Sequence, residues 1–326
     1  MVKNVILKIR AGSHLYGLNT AQSDEDYVGV YLNTPEEMLG LNSSEIIDDS
    51  VVSKRENSNK NDKDAIDCTY YELRKFCKLC LNANPTMLEV LFVDDKNIVE
   101  CNEYGKILLD NKNLFLSTKV KHSYIGYAFS QKKKSQVKSE NLRDLYFARD
   151  EFVKIKNKSD MLYDYLDVLK KSLGTKNWKH PDYIQFGDLR FNNQKVRDAI
   201  AKIDTRIDKA SHRADGMLEH GMDYKFISHT LRLLSEGEEL LTTGDLKFPL
   251  KEKELLLSIK LGELKPSEVM NIIDAREAKL EEIHTSNISP LPHSPNFNAV
   301  NNLVIDIYKQ HLGIVDGRQI GWELER

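Results

Sequence analysis

The chain has 326 residues, 40% of them hydrophobic and 30% charged, with a formal net charge of −3. That length can bury a large core in one or two domains, and the slightly acidic balance argues against a chain-wide polyanion binder. No apolar run approaches the roughly 20 residues that span a bilayer, and the start MVKNVILKIRAG lacks an h-region and a cleavage site, so neither a membrane span nor a signal peptide is expected.

Val2 to Ile9 is apolar-rich with several β-branched residues and predicts the first strand. Ala11 to Gly17 follows as a turn entering a short helix or loop, and Asn19 to Gln22 is polar and turn-like. Asp24 and Asp26 flank Glu25 at the start of a second strand that continues through Tyr27 to Leu32. Thr34-Pro35-Glu36-Glu37 has the order of a helix start, with Thr34 as N-cap and Pro35 at the first position. Ser43 to Asp64 is polar and charged and predicts a mobile excursion between strands. Ala65 to Tyr71 predicts another strand, and Leu73 to Phe92 a helical stretch broken at Asn84-Pro85.

From Tyr104 onward helical spacing dominates, in 121–130, 140–172, 193–213, 224–242, 251–260 and 266–284. Gly244 reads as a stop after the 224–242 helix. Ser286 to Asn298 contains three of the eight prolines and predicts a connector to a last helix, Ala299 to His311. The composition shift near residue 100 predicts an α+β protein, with a small mixed-sheet domain over 1–100 and a mostly helical domain over 101–326.

Four cysteines are present, and Cys77 and Cys80 form a C-x-x-C. They lie within the apolar-periodic helix pattern LRKFCKLCLNA and have no second pair at metal-binding spacing, so buried free thiols and a cytoplasmic, reducing environment are expected. Lysines cluster at Lys132, Lys133, Lys134 and Lys138, and again at Lys170, Lys171, Lys176 and Lys179 beside His180. They read as solvated faces, or as nucleic-acid or triphosphate contacts if a nucleotide site lies beside them.

Two carboxylates at i and i+2 on a strand point the same way, so Asp24 and Asp26 repel unless a cation neutralises them. Their hard oxygens suit Mg²⁺ or Mn²⁺. Gly12-Ser13 precedes this pair by about ten residues, directly after the first strand. A P-loop, G-x-S-x-G, H-E-x-x-H and G-x-G-x-x-G are all absent, which weakens the readings those motifs carry.

The pattern Gly-Ser, about ten residues, then Asp-x-Asp resembles the signature of the polymerase-beta-type nucleotidyltransferase superfamily. The longer string GSHLYGLNTAQSDEDYVGVY is similar to the nucleotidyltransferases linked to RNA repair in bacteria and phages, and the likeness extends to TYYELRKFCKLCLNANPTMLEVLF and GMDYKFISHTLRLLSEGEELLTTGDLKFPL. One departure is Glu25, where the superfamily usually has an apolar residue between the acids. The resemblance implies transfer of an NMP from an NTP to a hydroxyl, with an RNA or tRNA end as acceptor.

Such chemistry needs a third carboxylate from a neighbouring strand, for which Asp67 in AIDCTYYEL is chosen, with Asp64 and Glu72 as fallbacks. Gly12 and Ser13 would cradle phosphate, Gly12 by close backbone approach and Ser13 by its hydroxyl and amide. Tyr16 is expected to pack under this cradle, while His14 is a loop histidine that either touches phosphate or is incidental. Asn84 and Glu89 face nucleotide or else break a helix and sit as a buried or capping acid. Lys225, His229 and Arg232, at i, i+4 and i+7, share a helix face that binds the β- and γ-phosphates or an acceptor strand, or is simply solvated or salt-bridged. Two other classes stay open at this point: a nucleotide- or RNA-binding regulator without turnover, and a protein-modifying (AMPylating) transferase.

Overall fold

A computed structural model describes residues 2, 4–21, 23–51, 65–173, 183–186, 189–220 and 223–314, without the side chains of 134–139, 170, 173 and 209–220. Asp64, Lys176, Lys179 and His180 therefore lie outside the described residues, as do the side chains of Lys134, Lys138 and Lys170.

A five-stranded mixed sheet is built from β1 (Val5–Arg10), β2 (Glu25–Tyr31), β3 (Ile46–Asp48), β4 (Ile66–Glu72) and β5 (Ile98–Cys101), in the order β3-β4-β2-β1-β5. β2 runs parallel to β4, and the other neighbours are antiparallel. The alternation of β1 and β2 puts Leu7, Ile9, Val28 and Val30 on one face, all buried. On the other face, Gly29 leaves room for Tyr70 of β4: a Cβ there would stand 2.2 Å from Tyr70 Cδ1. Lys8 lies over the rings of Tyr27 and Tyr70, 4.8 and 5.6 Å from their centroids.

Local signals set the first helices. α1 (Gly12–Tyr16) follows β1 directly. α2 (Pro35–Leu39) starts on the capping box expected of Thr34, whose hydroxyl accepts from the Glu37 N–H while Glu37 accepts from the Thr34 N–H. α3 (Leu73–Leu81) and α4 (Pro85–Leu91) are separated at Asn84, which caps α4 by accepting from the Met87 N–H. α5 (Glu103–Asp110) is capped by Asn102.

Further along come α6 (Lys119–Lys154), α7 (Leu166–Leu173), α8 (Val196–His220), α9 (Tyr224–Thr243), α10 (Lys253–Leu261), α11 (Pro266–Thr285) and α12 (Phe297–His311). Gly244, at φ 68°, ends α9 as expected.

The chain forms two compact units. The first holds the sheet and consists of Met1–Ala128, Leu231–Leu257 and Asn271–Arg326; the second is Phe129–Thr230 with Ser258–Met270. The expected boundary near residue 100 falls inside the first unit, because late helices return to the sheet's unit. In the second unit, Leu142, Leu145, Ala148 and Phe152 of α6 meet Val196, Ala199, Ile203 and Ile207 of α8 around a shared core. A hairpin of β6 (Ile184–Phe186) and β7 (Leu189–Phe191) adds Phe186 and Phe191 to that core, so the later part of the chain is not purely helical.

Two other expectations are revised. The polar excursion contains β3, an edge strand of three residues paired with Thr69, Tyr70 and Tyr71, while its 52–64 part lies outside the described residues. The separate 121–130 and 140–172 helices are replaced by one continuous α6 that runs through the lysine-rich stretch and stops at Lys154. Lysine, glutamine and serine are compatible with helix, so polarity alone did not break it. Among the described residues no helix is long and apolar enough to cross a membrane.

Candidate active site

The starts of the inner strands β2 and β4 gather the first part of the site. β1 ends at Arg10, and the Ala11 N–H donates to the Asp26 carbonyl at 2.8 Å, tying the start of α1 to β2. Gly12 has φ +61°, and a Cβ built there would lie 1.9 Å from Asp26 Oδ2. The carboxylate of Asp26 thus rests against bare backbone, a contact that only glycine permits. In the parallel register Asp26 pairs with Asp67, so these two residues stand side by side on one sheet face. Asp24 immediately precedes β2.

Glu25 resolves as a side chain of the opposite face. Its carboxylate lies 3.0 Å from Arg10 Nε and 3.7 Å from His14 Nε2, and it accepts from the Tyr27 hydroxyl at 3.1 Å. The extra acid between the aspartates is therefore engaged with Arg10 and Tyr27 instead of adding a third charge beside Asp26. His14 lies near this carboxylate.

Asp67 accepts from the Ser50 hydroxyl at 2.9 Å, and the same hydroxyl oxygen accepts from the Cys68 N–H at 3.0 Å. Ser50 also bonds Asp48 at 2.5 Å, so β3 reaches the acid edge through one serine. Carboxylate oxygens on neighbouring strands are the donor type that a hard divalent cation takes. Among the described residues, however, no three Asp, Glu, His or Cys side chains converge as a metal site. The expected trio is present as neighbouring backbone positions, and its oxygens are not gathered about one point. The fallback Glu72 sits elsewhere: it is buried at the far end of β4, accepts from the Arg74 N–H at 2.9 Å and is bonded by the Tyr308 hydroxyl.

A second cluster lies at the other end of α1. Tyr16 is buried, as expected, and its hydroxyl donates to Glu89 Oε2 at 2.6 Å. Arg232 Nη1 donates to Glu89 Oε1 at 2.5 Å and to Glu236 Oε1 at 2.8 Å, and its guanidinium carbon lies 4.2 Å from the Tyr16 ring centroid. Glu89, Arg232 and Glu236 are only 2%, 7% and 1% exposed. Burial drives the Glu236 carboxyl well above the usual carboxylate range; Arg232 opposes the shift and nearby Glu89 adds to it. Burial likewise raises the phenols of Tyr16 and Tyr124. Two carboxylates facing one guanidinium balance when one of them keeps its proton.

This arrangement corrects the basic stripe. Arg232 does not share an open phosphate-binding face with Lys225 and His229. It is buried between two glutamates in the first unit, whereas Lys225 and His229 belong to the second. At Arg232 the salt-bridged alternative holds, with Glu236 at i+4 and Glu89, 143 residues earlier, as its partners. Of the two readings of NPTMLE the bland one holds, with Asn84 as a helix cap and Glu89 as a buried acid. All four cysteines are free thiols; Cys77 and Cys80 are buried, and burial raises both thiol pKa values.

The family model of the RNA repair pathway DNA polymerase beta family, RlaP, matches residues 2–292. An uncharacterized 38.9 kDa protein from the nrdC-mobD intergenic region of Enterobacteria phage T4 is 27% identical over 289 residues, covering 79% of this chain and 82% of the phage protein. A nucleotidyltransferase-like protein of known crystal structure from Exiguobacterium sibiricum 255-15 covers 94% of this chain and 75% of its own, at 11% identity and a TM-score of 0.26, a likeness too distant to carry an argument. With a family match running across most of its length, the chain belongs to the RNA repair pathway DNA polymerase beta family and is a nucleotidyltransferase.

Proposed function

We propose that the protein moves an NMP unit from an NTP to a hydroxyl at an RNA or tRNA end. The observation that carries this reading is the side-by-side register of Asp26 and Asp67, with Asp26 seated against Gly12. In the transfer, the acceptor oxygen bonds to the α-phosphorus, the bond from that phosphorus to the β-phosphate bridge breaks, and pyrophosphate leaves. Gly12 and Ser13 hold the triphosphate through bare backbone and a hydroxyl. Asp24, Asp26 and Asp67 are the residues that would hold Mg²⁺ or Mn²⁺, and the ion would supply neutralisation of phosphate charge and a more acidic acceptor hydroxyl. Asp67, hydrogen-bonded by Ser50, takes the proton of the attacking hydroxyl. The free cysteines support a reducing, cytoplasmic setting.

Incubation with each α-labelled NTP, Mg²⁺ or Mn²⁺ and total RNA tests the reading. Label on RNA is the expected result. Tight nucleotide binding without transfer would favour the regulatory alternative, and label on protein would indicate an AMPylating activity.

A further inference from the structure

Three stretches of sequence far apart in the chain meet beneath α1: Tyr16 closes α1, Glu89 comes from α4, and Arg232 and Glu236 come from α9. We infer that the buried chain Tyr16–Glu89–Arg232 is a positioning device for nucleotide binding, setting the orientation of α1 and thereby of Gly12 and Ser13 at its start. This rests on the proposed role of that turn as the triphosphate cradle.

The geometry gives three supports. The Tyr16 hydroxyl points down into the cluster, giving α1 a charge-assisted hydrogen bond at 2.6 Å to a buried carboxylate. That carboxylate is in turn fixed by a guanidinium at 2.5 Å, so the anchor is itself held from a separate helix. The same residue is tied at its backbone, where the Leu250 N–H donates to the Tyr16 carbonyl at 3.3 Å, and its ring packs 6.1 Å from that of Phe248. α1 has only five residues, too short to hold its own direction without such anchors. A buried ion pair is weak evidence of stabilisation, and its best-supported use is to specify one arrangement over others.

Tyr124 provides a matched control. Its hydroxyl is buried beside the same charges yet has no hydrogen-bond partner among the described residues, and Tyr124 lies on α6, not α1. Tyr16→Phe and Tyr124→Phe make the same chemical change in the same cluster. Two readouts on the full chain separate the outcomes: amide hydrogen exchange over residues 12–18 without nucleotide, and the Kd for Mg·NTP. Tyr16→Phe is expected to speed exchange in that segment and to raise Kd, each about tenfold, the equivalent of one charge-assisted hydrogen bond; Tyr124→Phe should change neither. Unchanged exchange in Tyr16→Phe overturns the anchor. Faster exchange with wild-type affinity overturns its coupling to nucleotide. Equal losses in both variants reduce the cluster to general stability. A wild-type protein that binds no NTP at all removes the cradle reading, and the inference with it, even where exchange responds as expected.

Discussion

Carboxylates occupy two settings on either end of α1. At its start, Asp26 and Asp67 stand near the first residues of the inner strands β2 and β4, partly exposed or exposed, with a serine hydroxyl and bare glycine backbone as neighbours. At its end, Glu89 and Glu236 are sealed in the core around one arginine. The first setting is at least partly open to solvent; in the second, the charge of the acids is met internally by Arg232. Carboxylates near a turn therefore cannot be ranked as catalytic by type alone; Glu89 and Glu236 are set apart by burial around Arg232.

The largest expected effect tests the solvent-facing end. Asp26→Asn should lower nucleotidyl transfer by at least about a hundredfold while shifting Tm little, as the amide keeps the shape but loses the charge that the proposed cation would need. Full activity in this variant would falsify the metal assignment. At the sealed end the expectation reverses: Arg232→Ala should cost about 3–5 kcal/mol of stability by leaving buried acid without a partner, measured by urea unfolding. A cost below 1 kcal/mol would mean that water reaches the cluster.

Gly12→Ala sharpens the boundary between them. Positive φ and the 1.9 Å approach to Asp26 Oδ2 should together cost about 1–3 kcal/mol and displace the carboxylate, so activity falls further than stability explains.

Smaller still is a pH effect on Glu236, faced by Glu89, Arg232, Tyr16 and Tyr124. Its native pKa is raised, so above the unfolded value of 4.5 the native state holds a proton that the unfolded state has released. Stability should fall with rising pH from there, by at most about 1.4 kcal/mol per unit, until the native group titrates. Glu236→Gln should flatten that slope in unfolding measurements across the same range; an unaltered slope would assign it to other groups.

Much of the acid edge was legible because its signals are local. Gly12 and the aspartates sit within one short stretch, and strand alternation alone sends Glu25 to the opposite face. Asp67 required only a second strand carrying an acid near its start. Thr34 was readable as a cap since capping depends on residues three positions apart; at Asn84-Pro85 the break was readable, but the capping role of Asn84 emerged only with the structure. The three-residue β3 and four-residue β5 were not readable, being edge strands with too few alternations to stand out from polar surroundings. The sealed cluster was hidden for a different reason. Arg232 looks like any exposed basic residue on an amphipathic helix until Glu89, which is 143 positions earlier, is brought against it.

The unit that holds the sheet is stitched from three separated segments of chain. During synthesis, Tyr16 and Glu89 leave the ribosome well before Arg232, so the nascent amino-terminal portion carries an acid destined for burial without its counter-charge. A cut after Ala128 should consequently release an incomplete fold, and the pairing of Glu89 with its buried counter-charge waits on translation of α9.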